Sequence, residues 1–388
     1  MTATSIAPSA ALSSAPSELT LSALARVRSD VKGMHAYAVQ DARGLLKLDA
    51  MENPYSLPPA LQAALGARLG AVALNRYPGE RGDELKRALA DHAHMPEGHA
   101  LMLGNGSDEL ISLLAIACDL PGATVLAPAP GFVMYAMSAQ LQGLRYLGVP
   151  LTADFELDEA AMLAAIAQEK PAILFLAYPN NPTANLWNAQ VVQRLIDAQG
   201  AQGGLVAIDE AYQPFASHTW LDEIRRDPAR HGHVLLMRTL SKFGLAGVRL
   251  GYLIGPAALV AEIDKVRPPY NISVLNCECA LFALEHADVF AQQAAAIRAE
   301  RDVLLAQLAE LPGVKVWPSD ANMVLLRVLG GAEGAHERAD AVFAGLKQRG
   351  VLVKNVSRMH PLLAQCLRLT VGTADENVRM LDALRQSL

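Results

Sequence analysis

The 388-residue sequence has only four cysteines, and no two of them have the spacing of a zinc-binding pair. Cys118 and Cys366 are isolated in the sequence. Cys277 and Cys279 have one residue between them, which is fewer than the roughly two to four residues of common zinc motifs. We therefore expect reduced thiols and no metal site.

The sequence also lacks long apolar runs and any concentrated basic patch. No run approaches the roughly 18 apolar residues of a membrane span. Thirty-three basic against thirty-nine acidic side chains give a net charge of -6, which argues against binding of nucleic acid. The Ala-, Ser- and Pro-rich start has no signal-peptide pattern. We predict a disordered leader over residues 1–16, a helix from near Ser17, and a cytoplasmic enzyme acting on small molecules, with no nucleic-acid or membrane partner.

Short apolar runs alternate with helical patterns between residues 100 and 255. Continuous apolar runs are typical of strands buried on both faces, and hence of a mostly parallel sheet flanked by helices. The predicted strands are ATVLA from 123, AILFLA from 172, GLVAI from 204, HVLLM from 233 and YLIG from 252. The sequence therefore predicts an α/β fold.

Polar and special-backbone residues follow four of these runs directly, as PAPGF, YPNNPT, DEAY and RTLSK. Ligands of open α/β sheets bind beyond the carboxyl ends of the strands. From about residue 271 a long helical stretch and short strands indicate a smaller α+β domain. We predict a large, ligand-binding domain over 51–270, a small domain over 271–388, and packing of residues 17–50 with the small domain.

Three cations, Arg238, Lys242 and Arg249, lie within twelve residues in the segment RTLSKFGLAGVRLGY. Like charges this close repel one another unless an anion lies between them. A desolvated lysine near arginines has a lowered pKa and is a better nucleophile toward an aldehyde. The segment therefore predicts an anion site beside a reactive lysine.

The segment LGNGSDEL leads from a glycine turn into an apolar helical run. Ser107 is a good N-cap residue, and Asp108 in the first turn suits the helix dipole. A capped helix alone explains this pattern. The functional alternative is that the backbone N–H groups of Ser107 and Asp108 hold a phosphate.

The ordered set Gly-Ser-Asp-Glu, Asn-Asn-Pro-Thr, Asp-Glu-Ala-Tyr and Ser-Lys followed by Arg-x-Gly resembles the pyridoxal-phosphate-dependent aminotransferases of fold type I. The resemblance runs from about residue 35 to the end, and the motifs keep their order and their strand context. It implies pyridoxal 5'-phosphate as cofactor and the cofactor phosphate as the anion between the cations.

The resemblance also implies a role for each site residue. Lys242 would form the Schiff base and move a proton between the substrate Cα and the cofactor C4′. Asp209 would keep the pyridine nitrogen protonated. Tyr212 and Asn181 would hydrogen-bond the phenolic oxygen, and Phe132 would stack on the ring. The phosphate would be held by Ser107, Asp108, Thr239, Ser241 and Arg249 and, across a homodimer with composite sites, by Tyr77.

Within this family, the segments KLDAMENPY, LNRYPG, RPPYNIS and CLRLTVGT resemble the histidinol-phosphate aminotransferases. These enzymes exchange an amino group between histidinol phosphate and 2-oxoglutarate in histidine biosynthesis. Arg368 occupies the position that binds a substrate carboxylate in the wider family. The resemblance implies that it binds the glutamate carboxylate and the histidinol phosphate group alternately. Tyr37, Asn53 and Lys354 are further candidates for the substrate site.

The sequence departs from the family pattern at four places. Ala184 stands where Asn-Asn-Pro-Thr usually continues with Gly, so that turn must avoid a positive φ or accept strain. The loop from Lys242 to Arg249 is one residue shorter than in many relatives. Lys354 replaces a common arginine and loses the bidentate fork. MENP replaces the commoner NENP.

Two kinds of alternative stay open at this point. An aromatic or broad-range aminotransferase, or a decarboxylase of threonine phosphate, would use the same Lys242 chemistry and differ only in the substrate pocket. A regulator that merely senses the cofactor would need a basic DNA-binding domain ahead of the fold, and the short leader does not supply one. The ordered motifs favour an amino-transfer enzyme.

Overall fold

The computed structural model describes residues 17–34, 40–330 and 336–388. The predictions made for residues 1–16 and for Tyr37 therefore fall outside the described residues. Residues 42–388 form one compact unit, and the chain up to Asp41 forms another. In the N-terminal unit a short helix begins directly after Ser17, whose hydroxyl accepts a hydrogen bond from the Thr20 N–H at 3.2 Å, as the sequence predicts.

The described residues contain α-helices and β-strands with the following bounds. The helices are α1 Glu18–Leu24, α2 Ser29–Lys32, α3 Pro59–Gly70, α4 Arg81–Ala93, α5 Gly106–Ala117, α6 Val133–Gln142, α7 Glu159–Glu169, α8 Ala189–Ala201, α9 Trp220–Arg226, α10 Ala257–Ile263, α11 Val274–Glu285, α12 Ala287–Ala309, α13 Glu337–Gln348 and α14 Ala374–Arg385. The strands are β1 Leu46–Lys47, β2 His99–Gly104, β3 Thr124–Ala129, β4 Arg145–Pro150, β5 Ile173–Ala177, β6 Leu205–Asp209, β7 Val234–Thr239, β8 Gly251–Pro256, β9 Val314–Val316, β10 Met323–Val328, β11 Val351–Leu352, β12 Lys354–Asn355 and β13 Cys366–Thr370.

The large sheet has seven strands in the order β2-β8-β7-β6-β5-β3-β4. Strands β3 to β7 pair in parallel, whereas β8 runs antiparallel to both β7 and β2. All five predicted strands are present, and the predicted α/β class with a mostly parallel sheet is confirmed. Strands β2 and β4 were not predicted, and they lie at the two edges of the sheet.

Helices cover both faces of this sheet, because its strands are apolar on both sides. One face packs against α5, α6 and α10 around Leu110, Tyr135 and Val260. The opposite face packs against α4, α7, α8, α9 and α11. Side chains on successive strand residues therefore enter alternate cores, and the same alternation determines which polar groups at the strand ends share a face.

The C-terminal part forms a four-stranded sheet in the order β12-β13-β10-β9. This sheet packs with α12, α13 and α14 in a third apolar core. Strand β1 pairs in parallel with β11. The domain limits given above, with a boundary near residue 270, stay a prediction. No helix among the described residues is long and apolar enough to cross a membrane.

Candidate active site

The segments that follow β2, β3, β5, β6 and β7 converge on one cavity of about 130 Å³ at the carboxyl edge of the large sheet. This is the position at which open α/β sheets bind ligands. The cavity is lined by Met51, Ser107, Asp108, Phe132, Tyr135, Ala177, Pro179, Asn181, Asp209, Ala211, Tyr212, Thr239, Ser241, Lys242 and Arg249. Ten of the eleven predicted cofactor-site residues, all except Tyr77, thus line one cavity, and the structure adds five residues to which the sequence assigned no role.

Lys242 lies in a short π-helical turn, Ser241–Leu245, directly after β7. Its Nζ donates a hydrogen bond to the Ala50 carbonyl oxygen at 2.9 Å and lies 6.0 Å from the centre of the Tyr212 ring. Burial, followed by the positive charge of Arg368, lowers the pKa of Lys242 from 10.5 to about 8. The amine is therefore neutral in a useful fraction of molecules at neutral pH.

Asp209 ends β6 and is buried against the cavity. Its Oδ2 accepts a hydrogen bond from the Tyr135 hydroxyl at 2.8 Å, and its Oδ1 accepts one from the Ala211 N–H at 3.1 Å. Burial raises the pKa of Asp209 to about 6, and these two hydrogen bonds act in the opposite direction. The carboxylate is therefore charged above pH 6 in spite of its burial.

Tyr135 was not predicted, although it lies one helical turn after Phe132 in PAPGFVMY. Its ring stacks on Phe175 with ring centres 4.5 Å apart, and Phe132 meets it edge-on at 5.7 Å. Tyr135 therefore supports both Asp209 and the aromatic wall of the cavity. The spacing of three residues after Phe132 on a helix was the sequence signal that could have found it.

The anion-binding corner lies between the end of β7 and the start of α5. The Thr239 hydroxyl donates a hydrogen bond to the Ser241 hydroxyl at 3.0 Å, and Arg249 Nη1 donates to the same Ser241 oxygen at 3.1 Å. Arg249 Nη2 also contacts the Asp108 carboxylate at 3.3 Å. Because the Arg249 and Asp108 side chains are half exposed, the net attraction between them is weak. Arg249 can therefore leave the Asp108 carboxylate and bind an anion of higher charge.

Helix α5 begins at Gly106 and not after Ser107, so the prediction that Ser107 is the N-cap is wrong. Asn105 holds the cap position, and its N–H donates to the Glu109 carboxylate at 2.7 Å. Gly106 has φ +76°, and a Cβ there would lie 2.8 Å from Arg249 Nη2. Ser107 and Asp108 thus lie in the first turn, where backbone N–H groups have no partner within the helix.

The two amides of YPNNPT have different positions. Asn180 is buried, and its Nδ2 donates to the Pro130 carbonyl at 3.1 Å and to the Thr183 hydroxyl at 2.7 Å, so it holds the loop. Asn181 faces the cavity, and its Oδ1 accepts a hydrogen bond from Arg368 Nη1 at 2.7 Å. Ala184 adopts φ +66° in this turn, so the chain accepts the left-handed conformation that a glycine would adopt without strain.

Arg368 lies on β13 of the smaller sheet and is buried beside the cavity. Besides Asn181, it binds the Asp49 carbonyl oxygen through Nη2 at 2.8 Å. Lys354 is its direct cross-strand neighbour on β12. The Asn53 side chain donates to Gln293 at 2.9 Å and to the carbonyl of Phe243, the residue after Lys242, at 3.5 Å. Lys354 and Asn53 are therefore close to predicted site residues, and their roles stay predictions.

Arg238 does not face the anion-binding corner, so the interpretation of three cations around one anion is wrong for this residue. Side chains alternate along β7, which places Thr239 on the cavity side and Arg238 on the opposite side, whereas Lys242 reaches the cavity from the turn that follows the strand. There its Nε and Nη2 bind the Glu210 carboxylate at 3.0 and 2.9 Å. Glu210 is the anion that accompanies Arg238.

Tyr77 is 75% exposed and stacks on Tyr270, with ring centres 4.4 Å apart. It does not line the cavity of its own chain. The reach of Tyr77 into a second subunit stays a prediction.

A family model for aminotransferases of class I and II matches residues 43–384. The chain belongs to this family. The histidinol-phosphate aminotransferase of Acidovorax sp. (strain JS42) is 70% identical over 369 residues, which are 95% of this chain and 98% of that protein. That of Polaromonas naphthalenivorans (strain CJ2) is 67% identical over 93% of this chain and 96% of that protein. The family resemblance inferred from the motifs is confirmed.

The fold is also that of solved members of the family. The crystal structure of histidinol-phosphate aminotransferase from Sinorhizobium meliloti in complex with pyridoxal-5'-phosphate matches with a TM-score of 0.81. The match covers 95% of this chain and 98% of that chain at 24% sequence identity. At this identity the likeness shows the fold alone.

Proposed function

We propose that the chain transfers an amino group between histidinol phosphate and 2-oxoglutarate in L-histidine biosynthesis, with imidazole acetol phosphate and glutamate as the other pair. The observation that carries the chemistry is a single cavity that holds Lys242, with a pKa lowered to about 8, and the buried carboxylate of Asp209. The choice of substrates is based on relatives of 67–70% identity that are named histidinol-phosphate aminotransferases.

The residues of the cavity fit pyridoxal 5'-phosphate. Thr239, Ser241 and Arg249 supply hydroxyl and guanidinium donors for a phosphate, beside the first turn of α5. Gly106 lacks a Cβ where one would crowd the Arg249 fork. Asp209 supplies a carboxylate for a ring nitrogen, and Phe132 an aromatic wall. When bound, this cofactor provides an electron sink for a carbanion at the substrate Cα.

The protein groups bind and move protons at defined atoms. Lys242 Nζ would hold the cofactor through its aldehyde carbon and, when free, would accept the proton from the substrate Cα. Asp209 is charged above its pKa of about 6 and would therefore keep a proton on the ring nitrogen of the bound cofactor. Tyr135 fixes the direction of that carboxylate through its hydroxyl.

Arg368 is proposed to bind the anionic end of each substrate. Its guanidinium is held by Asn181 and by the Asp49 carbonyl, so the fork is already oriented. A guanidinium matches the oxygens of a carboxylate and of a phosphate. One residue can therefore serve glutamate and histidinol phosphate in the two halves of a ping-pong reaction.

The experiment that tests the substrate follows the cofactor absorbance in single turnovers with histidinol phosphate, glutamate, histidinol, phenylalanine and threonine phosphate. Arg368→Ala should lower kcat/KM for histidinol phosphate and for glutamate by at least about tenfold, because a charge-assisted hydrogen bond contributes about 1.5–3 kcal/mol. Histidinol lacks the anion and should be little affected. Arg327→Ala is the matched control, since Arg327 is a main-chain-bound arginine on the neighbouring strand β10.

Equal losses for histidinol and its phosphate would show that Arg368 supports the fold and not the substrate. Faster turnover of phenylalanine would favour an aromatic aminotransferase, and release of carbon dioxide from threonine phosphate would favour a decarboxylase.

We also propose a cytoplasmic homodimer with composite sites. The exposure of Tyr77 supports the dimer, since this side chain is available to a second subunit.

A further inference from the structure

A buried ion pair lies directly behind the cavity, on the opposite face of the large sheet. The Glu210 side chain is fully buried and that of Arg238 is 11% exposed. Arg238 Nε and Nη2 both donate to Glu210 Oε2. The Thr219 hydroxyl donates to the Glu210 carboxylate at 2.9 Å and accepts a hydrogen bond from Arg238 Nη2 at 2.9 Å, and the Trp220 N–H donates to Glu210 Oε1 at 2.6 Å.

This pair has no contact with the cavity, yet each member is the chain neighbour of a cavity residue. Glu210 follows Asp209, and Arg238 precedes Thr239. Arg238 also interacts with Tyr252, which follows Gly251. A Cβ on Gly251 would lie 3.0 Å from the Ser107 N–H nitrogen. The pair therefore acts on the ends of three adjacent strands at the level of the cofactor site.

On their outer sides these strand ends are held by backbone pairing, since the Asp209 carbonyl accepts the Tyr178 N–H and Thr239 pairs with Gly251 of β8. The backbone ladder between β6 and β7 themselves stops at the level of the cavity. Asp209 is the last residue of β6 and Thr239 is the last residue of β7. The Glu210 N–H still bonds the Met237 carbonyl at 2.8 Å, and the ladder between the two strands ends there. Beyond this point the side chains of Glu210 and Arg238 connect the strands, and Thr219 and Trp220 tie both to the start of α9.

We infer that Glu210 and Arg238 are positioning residues that set the distance between the Asp209 carboxylate and the anion-binding corner formed by Thr239, Ser241 and Arg249. The inference rests on the proposed function, since it assigns these two groups to opposite ends of one cofactor. A guanidinium that holds one carboxylate oxygen through two N–H groups suits this task, because the rigid plane of the guanidinium fixes both distance and orientation. A displacement of about 1 Å at such a site is enough to lower a rate about a hundredfold.

The test measures the dissociation constant of pyridoxal phosphate from the reconstituted apoprotein, together with kcat and KM, well below the melting temperature. Glu210→Gln keeps the size of the side chain and removes the charge that holds Arg238. It should weaken cofactor binding by about tenfold and lower kcat, while KM for glutamate changes less than about twofold. The control is Leu346→Ala, in the core of the smaller sheet, which lowers the melting temperature by cavity formation alone.

The inference is supported if Glu210→Gln weakens cofactor binding and Leu346→Ala does not. Equal cofactor affinity in wild type and Glu210→Gln, with only the melting temperature lowered, would overturn it and leave a purely structural ion pair. If Glu210→Gln does not fold, Thr219→Val is the variant that tests the inference. It removes the hydroxyl shared by Glu210 and Arg238 and should weaken binding of pyridoxal phosphate by about threefold. An unchanged affinity in Thr219→Val would then overturn the inference. A wild-type protein that binds no pyridoxal phosphate would instead overturn the proposed function.

Discussion

The amine of Lys242 should capture the cofactor aldehyde at a rate that rises with pH, reaches half of its maximum near pH 8 and levels off above it. Burial and the charge of Arg368 lower its pKa from 10.5 to about 8. At pH 7 an amine with this pKa is neutral in roughly one molecule in ten, whereas an ordinary lysine is neutral in about one in three thousand. Capture at pH 7 should therefore be roughly 300-fold faster than with an unshifted lysine, because only the neutral amine is nucleophilic.

The assay mixes apoprotein with pyridoxal phosphate between about pH 6 and about pH 10 and follows the absorbance of the bound cofactor. A simple primary amine such as butylamine is titrated in parallel. The cofactor's own ionisations affect both reactions equally, so the ratio of the two rates isolates Lys242. The expected ratio is largest at neutral pH and declines as the butylamine becomes neutral.

The effect of the Arg368 charge on the pKa of Lys242 can be tested separately. Arg368→Met should move the midpoint of the capture rate to higher pH, whereas Arg368→Lys should keep it low because the charge is kept. Arg249 also lowers the pKa of Lys242, while Glu52 and Asp108 raise it. A wild-type midpoint close to 10 would refute the reasoning, and an unchanged midpoint in Arg368→Met would remove Arg368 as a cause.

Three further predictions concern the cofactor site. Asp209→Asn should retain the cofactor and lose most turnover, because a neutral amide does not keep the ring nitrogen protonated; near-normal kcat would contradict this role. A mixture of Tyr77→Ala and Lys242→Ala proteins, refolded together, should regain activity because hybrid dimers contain one intact site, and hybrids without activity would exclude a role for Tyr77 across the dimer. Gly106→Ala should weaken cofactor binding by about tenfold or more, because its Cβ would displace Arg249 at a left-handed position; an unchanged dissociation constant would show that Arg249 is not needed for the phosphate.

The sequence was sufficient to predict the sheet and much of the site. Apolar runs of strand length identified β3, β5, β6, β7 and β8, because these strands are buried on both faces. The carboxyl ends of parallel strands share one edge, so Asn181, Asp209, Thr239 and Lys242 had to meet. Family motifs then gave these residues their expected roles. Edge strand β4 was missed because its residues are only partly buried, and its apolar signal is weaker.

Only the tertiary structure decided which side chains face one another. Arg238 and Lys242 are close in sequence, yet strand alternation places Arg238 against Glu210 on the far side of the sheet. Tyr135 reaches Asp209 because α6 packs at one angle on the sheet, and no local pattern specifies that angle. The lowered pKa of Lys242 depends on Arg368, which is far away in the chain and belongs to another sheet. Burial and charge act through distances in space, so they arise only when the sheets have packed.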